Sequence, residues 1–280
     1  MNEYAYYNGV FTPYDAAAIP LSDRSIFFSD AVYDVVVGRG KKLYQLDEHL
    51  ERISVNARMI GLEGMPEKSK IQEAAEELLE LSEADEFMLY IQLSSDAARR
   101  AHAREARPLN LLMTVTECEL PRALSEIRAI SLPDMRHRFC DVKTTSLLPA
   151  VLSVEEAKRR GADIAIFHRE STVTECSYAN VSILKDGSLI THPFDKDILP
   201  GITQINLESV VRKLGIRNES RAFTLDELRG ADAVLISSTT KLIKLCAELD
   251  GAPLEVKDRN TVASLFDELK GDLESKICRK

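Results

Sequence analysis

Regular structure pauses near the middle of this chain, at residues 117–122 around Pro121, and mixed strand and helix signals run on both sides of the pause. A chain patterned in this way is expected to fold as two α+β domains. The break assigns residues 1–118 to a small N-terminal domain, 119–122 to a linker and 123–280 to a larger C-terminal domain. At 280 residues each half has enough chain to bury a core of its own.

In the first half, Asn8-Gly9 favours a tight hairpin turn, so residues 4–11 read as two short strands. Residues 35–37 and 43–44 flank Gly38-Arg39-Gly40-Lys41 as a second hairpin. Asp47 then reads as the N-cap of a helix with Leu50, Ile53, Ala57 and Ile60 on one face and Gly61 at its end. Pro66 opens a second helix carrying Ile71, Ala74, Ala75, Leu78 and Leu79. Residues 87–93 and 109–115 read as neighbouring strands joined by a charged loop. In the second half, strands are expected at 140–144, 164–167, 181–184, 189–191 and 233–236. Helices are expected at 148–160 and 202–214, closed by Gly161 and Gly215, and from Asp258 to the tail.

Composition excludes several classes. A net charge of −9 leaves no excess of Lys and Arg to neutralise a nucleic-acid strand. No apolar run approaches the roughly 18 residues needed to span a bilayer, and the N-terminal segment lacks a basic region followed by an apolar one. The five cysteines are scattered with no Cys-x-x-Cys pair, which suits neither a disulfide framework nor a zinc site. The expectation is a cytoplasmic protein with no metal, no nucleic-acid partner and no membrane. His137, His168 and His192 are isolated and read as structural.

Three features carry chemistry when taken together. Lys143, in Asp-Val-Lys-Thr-Thr-Ser, offers an amine that attacks a carbonyl once it is desolvated and neutral. Glu175, in Val-Thr-Glu-Cys-Ser, offers a carboxylate able to keep a pyridine nitrogen protonated. Gly201-Ile202-Thr203 opens a helix whose first amides and dipole favour a phosphate, with a hydroxyl from Thr203. Ser238-Thr239-Thr240 adds hydroxyls and Arg52 a cation. An amine, an acid and an anion site are what a protein needs to hold and use pyridoxal phosphate.

These residues bring the chain to a family. Asp141-Val142-Lys143, Thr172-Val173-Thr174-Glu175 with Asn180, Thr191-His192-Pro193 and Leu199-Pro200-Gly201-Ile202-Thr203 resemble the ordered signatures of class IV, fold-type IV, pyridoxal-phosphate aminotransferases. Asp23-Arg24 with Ser29-Asp30-Ala31-Val32-Tyr33-Asp34 is similar to the family's Asp-Arg…Gly-Asp-Gly-x-Tyr-Glu run, and Glu48-His49-Leu50-Glu51-Arg52 to its Glu-His-Ile-Asp-Arg segment. Arg100-Ala101-His102 looks like the Arg-x-His loop by which D-amino-acid aminotransferases grip a substrate α-carboxylate, although Arg99, Arg104 and Arg107 crowd the same stretch.

The resemblance implies an α+β fold with a small α/β domain and a larger C-terminal pseudo-barrel. It implies that Lys143 forms the Schiff base and moves the proton between substrate and cofactor, that Glu175 pairs with the pyridine nitrogen, and that Leu199 packs on the ring. Arg52, Gly201, Ile202, Thr203, Thr239 and Thr240 would hold the phosphate. Tyr33, Arg100 and His102 would receive the carboxylate, in a homodimer whose loop reaches the partner's site. The implied reaction is ping-pong transamination between a D-amino acid, such as D-alanine, and a 2-oxo acid, such as 2-oxoglutarate. Aminodeoxychorismate lyases and branched-chain L-aminotransferases share the Lys143, Glu175 and Gly-Ile-Thr positions and are the alternatives. Ser29, Ala31, Tyr178 and Gln204 depart from the family pattern and place the doubt on the substrate rather than on the cofactor.

Overall fold

The computed structural model describes residues 3–95, 100–105 and 108–278, so Arg99 and Arg107 lie outside the described residues. The chain divides into two compact units. The first takes the chain up to Leu120, the short strip Val142–Ser146 and the tail from Ser275; the second takes Pro121–Asp141 and Leu147–Glu274.

The first unit contains β1 (Tyr4–Tyr7), β2 (Val10–Pro13), α1 (Arg24–Phe28), β3 (Ala31–Arg39), β4 (Lys42–Leu43), α2 (Leu46–Met59), α3 (Lys68–Leu81), β5 (Glu86–Ser95) and β6 (Leu109–Glu117). Its strands form one antiparallel sheet in the order β2-β1-β6-β5-β3-β4. The first hairpin turns at Asn8 and Gly9 with φ of 47° and 90°, a left-handed pair that asparagine and glycine tolerate. Leu50, Ile53 and Ala57 of α2 and Ile71, Ala75 and Leu78 of α3 are buried in one core with Val36, Leu89, Ile91 and Met113 of the sheet. Each Leu, Ile, Val and Met among them contributes about 1.5–3 kcal/mol by leaving water, the alanines less. The N-cap of α2 is Gln45, in a left-handed conformation, and not Asp47; Asp47 lies in the first turn, where its charge favours the helix dipole.

The second unit contains β7 (Glu126–Pro133), α4 (Leu148–Arg159), β8 (Ile164–Arg169), β9 (Thr172–Cys176), β10 (Asn180–Lys185), β11 (Ser188–Thr191), α5 (Ile202–Lys213), β12 (Arg217–Ser220), α6 (Leu225–Arg229), β13 (Ala233–Ser238), β14 (Leu242–Leu249) and β15 (Ala252–Pro253); α7 (Arg259–Ile277) runs to the end. The sheet order is β12-β11-β10-β13-β14-β7-β8-β9, with β15 on β14. β9 ends the sheet and β10 lies near its other end, yet only residues 177–179 join them. So short a link, about 3.3–3.6 Å per residue, forces the sheet to curl almost closed. The fold is therefore α+β with a pseudo-barrel second unit. Ile127, Ile166, Val181, Ile183, Val234 and Ile236 fill one face of the curled sheet, and Ala157 of α4 packs with Ala165 and Phe167 on the other.

The expected strand at 140–144 is absent; those residues form turns with a single bridge, Val32 to Thr144. Val142 is buried in the core of the first unit, to which residues Val142–Ser146 belong. Among the described residues no helix is long and apolar enough to cross a membrane.

Candidate active site

Lys143 sits on this strip, and its backbone is fixed on both sides. Its N–H donates to Asn56 Oδ1 at 2.9 Å, and its carbonyl accepts from Tyr33 N at 3.0 Å. Thr145 N donates to Ala31 O, which holds the next turn against the start of β3. The half-buried Lys143 side chain lies with Nζ 4.3 Å from the centroid of the Tyr33 ring, and Tyr33 in turn stacks on Tyr90 at 5.4 Å. Burial pushes the Tyr90 hydroxyl above its ordinary range, with a further contribution from Tyr33. The amine is thus aimed across an aromatic face rather than at a carboxylate.

Arg52, on α2, is oriented by Asp34. Its Nε and Nη2 donate to the two Asp34 oxygens at 2.8 and 2.7 Å, and His49 Nδ1 lies 2.7 Å from Oδ1. Burial alone would raise the Asp34 carboxyl, but the Arg52 charge, with the His49 contact, outweighs it and holds the group well below the usual carboxylate range. The bidentate geometry fixes the plane of the Arg52 guanidinium against Asp34.

In the second unit, Glu175 is buried on β9 and both of its oxygens are engaged. Oε1 accepts from Arg136. Oε2 accepts from Asn180 Nδ2 and from Leu199 N, both at 3.1 Å. Arg136 is held in turn by the fully buried Asp134, through Nε at 2.9 Å and Nη2 at 2.8 Å. Arg169 joins Asp134 to Asp197, so charges alternate along Glu175, Arg136, Asp134, Arg169 and Asp197. Burial would raise the Asp134 carboxyl, and the Arg136 hydrogen bonds and charge bring it below its ordinary value. These partners surround the buried Glu175 carboxylate with one guanidinium and two amide donors.

The same hydrogen bonds lead to the start of α5. Asn180 Nδ2 also donates to Leu199 O at 2.8 Å, and Gly201 follows as N-cap with no side chain capping the helix. A Cβ on Gly201 would meet Asn180 Oδ1 at 2.0 Å, so this close approach requires glycine. Ile202 and Thr203 are buried at the helix N-terminus. Gln204 pins this first turn to the sheet: its Oε1 accepts from Ser182 Oγ of β10 and Ser237 Oγ of β13, each at 3.0 Å. Thr239 and Thr240 lie in the half-buried turn that follows β13. A buried acid, linked through Asn180 to a helix N-terminus that no side chain caps, suits a group with a basic ring nitrogen at one end and a phosphate at the other.

The third group lies in residues 100–105. Arg100 and His102 both pack on Phe28, at 5.3 Å and 5.4 Å. Tyr33 keeps to Lys143 and Tyr90, and among the described residues no hydrogen bond or ring contact joins it to Arg100 or His102. Asp134 and Arg136, whose Asp-Met-Arg-His-Arg setting looks like a solvated charge run, carry no functional signal in the sequence, nor does Asn56, and Asp34 stands there only as the last residue of a family-like run.

The family model for class IV amino-transferases matches residues 31–247. The chain is 32% identical over 256 residues to a D-alanine aminotransferase of Staphylococcus aureus (strain MSSA476), covering 90% of this chain and 91% of that protein. It is 35% identical over 254 residues to a D-alanine aminotransferase of Listeria monocytogenes serotype 1/2a (strain 10403S), covering 89% and 88%. In fold it is similar to a branched-chain aminotransferase of Thermoproteus uzoniensis solved with norvaline, at a TM-score of 0.86 and 22% identity over 99% of this chain and 98% of that one. The chain belongs to the class IV aminotransferases and is a pyridoxal-phosphate-dependent enzyme.

Proposed function

We propose that this aminotransferase moves the amino group of a D-amino acid, such as D-alanine, to a 2-oxo acid, such as 2-oxoglutarate, in a ping-pong cycle. The bound cofactor supplies an aldehyde for the amine and an electron-withdrawing ring that stabilises negative charge at the substrate Cα. Lys143 Nζ is the attachment point and the base that carries the Cα proton. Glu175 holds the ring nitrogen protonated, with Leu199 against the ring. Arg52, Gly201, Ile202, Thr203, Thr239 and Thr240 hold the phosphate, the helix amides and the Arg52 fork acting together.

Tyr33, Arg100 and His102 receive the substrate carboxylate by charge and hydrogen bonds. The observation that carries the D-amino-acid reading is that Arg100 and His102, a guanidinium and an imidazole two residues apart, both pack on the ring of Phe28. The D-alanine aminotransferases to which the chain is similar support it. The enzyme acts as a homodimer in the cytoplasm, a setting that suits its five free cysteines.

Keto acid formation separates the readings. D-alanine with 2-oxoglutarate should give pyruvate, whereas L-leucine should react poorly. Turnover of L-leucine in preference to D-alanine, or release of p-aminobenzoate from aminodeoxychorismate, would remove the D-amino-acid assignment.

A further inference from the structure

Asp23, Arg24 and Asp30 have no task in the function proposed above, yet Arg24 and Asp30 bond directly to the loop to which it assigns the substrate, and Asp23 anchors the helix that carries Arg24. Asp23 is buried and takes hydrogen bonds from Tyr7 Oη at 3.0 Å, Ser94 Oγ at 2.7 Å and Asn110 Nδ2 at 2.8 Å. As N-cap of α1 it also accepts from Ser25 N at 2.8 Å, which ties α1 to β5 and β6. Arg24, the next residue, donates through Nε to Asp30 Oδ2 at 2.7 Å. Its two terminal nitrogens reach three successive loop carbonyls: Ala101 O at 2.5 Å, His102 O at 3.1 Å and Ala103 O at 3.5 Å.

Arg104 closes on Asp30 from the other side. Its Nε lies 2.8 and 3.0 Å from the two Asp30 oxygens, Nη2 donates to Oδ1, and Nη1 donates to Ile60 O at the end of α2. Burial would raise the Asp30 carboxyl, but the two guanidiniums lower it, so it stays an anion throughout the working range. Phe28 completes the arrangement, with Arg24 at 4.5 Å from its centroid and Arg100 and His102 on the same ring.

We propose that Asp30 is a positioning residue for recognition of the substrate carboxylate. By clamping Arg24 and Arg104 it fixes the main chain at 101–103, and with it the spacing at which Arg100 and His102 are offered to a carboxylate. The proposal rests on the reading of Arg100 and His102 as carboxylate ligands. A grip held ready before binding loses less conformational freedom when the ligand arrives, so release of the clamp weakens binding rather than chemistry.

The test compares the holoenzyme variants Asp30→Asn, Arg104→Met and Arg100→Met. The measurements are KM and kcat with D-alanine and 2-oxoglutarate, cofactor content by absorbance, and the rate at which hydroxylamine, a nucleophile with no carboxylate, discharges the bound cofactor. All three variants should raise KM for both substrates by about tenfold or more, with a smaller change in kcat, because each loses charge-assisted hydrogen bonds or the grip itself. Cofactor content and the hydroxylamine rate should match the parent enzyme. Arg104 is 33% exposed, so its variant keeps the test decisive if Asp30→Asn does not fold.

A parallel change in KM, cofactor content and hydroxylamine rate in Asp30→Asn and Arg104→Met would make Asp30 merely structural and overturn the proposal. A KM effect in Arg100→Met alone would overturn it and leave the substrate reading standing. No KM effect in any of the three would remove both.

Discussion

Arg136 and Glu175 form an ion pair whose side chains are only 13% and 8% exposed, with Asp134 gripping the far side of the same guanidinium. Removing the arginine takes a charge partner from two buried carboxylates at once. Arg136→Met should lower folding stability by about 3–5 kcal/mol. It should also weaken cofactor binding by an order of magnitude or more, since Glu175 would lose the guanidinium that orients it. Fluorescence titration of the apoenzyme with pyridoxal phosphate measures the second effect, and Arg136→Lys should recover part of it.

Asp34 links Arg52 to pH. Its folded-state carboxyl is depressed from an ordinary value of 3.8, so the stabilisation is complete above that value and is lost as the pH falls toward the folded-state value. Asp34→Asn should therefore cost about 3–5 kcal/mol near neutral pH, and the gap to the parent protein should narrow steadily in acid. Urea unfolding at several pH values reads this directly. A gap that widened in acid would reverse the assigned sign.

Gly201→Ala tests the cradle at the start of α5. The added methyl would meet Asn180 Oδ1 at 2.0 Å, and Asn180 cannot swing away without releasing Glu175 and Leu199 O. A loss of about 1–3 kcal/mol in stability is expected from such overpacking, with a greater loss of affinity for cofactor than for the amino acid. Unchanged affinity would show that this helix start does not bear the phosphate.

The thiols should divide by burial. Burial pushes Cys246 up to about 12 and Cys176 well above the ordinary thiol value, while Cys278 is exposed. Alkylation near pH 8 should label Cys278 readily and leave Cys176 and Cys246 untouched until denaturant is added. Mass mapping of the labelled peptides reports the order.

Helix faces were the most legible part of the fold, because period 3.6 alone selects Ile71, Ala74, Ala75, Leu78 and Leu79, and all five are buried. Turns with asparagine and glycine were legible for a similarly local reason: the residues bear the backbone angles themselves. The strip at 140–144 misled because burial of Cys140 and Val142 resembles a strand's alternation, whereas the packing that fixes Val142 comes from residues far away in sequence. Helix α1, five residues long, is set by Asp23 and its partners on β5 and β6, which no local pattern encodes. Among site residues, those of a recognisable type at a recognisable place, Lys143, Glu175 and Gly201, stood out. Asp134, Arg136 and Asp34 did not, since a buried ion pair and a solvated one are written with the same letters.

Lys143 is the amine on which attachment of the cofactor turns. Borohydride reduction of the yellow enzyme, followed by proteolysis and mass mapping, fixes the cofactor to whichever side chain held it. A pyridoxyl adduct on Lys143 and on no other lysine is the result expected; an adduct on another lysine, with Lys143 unmodified, would contradict the account.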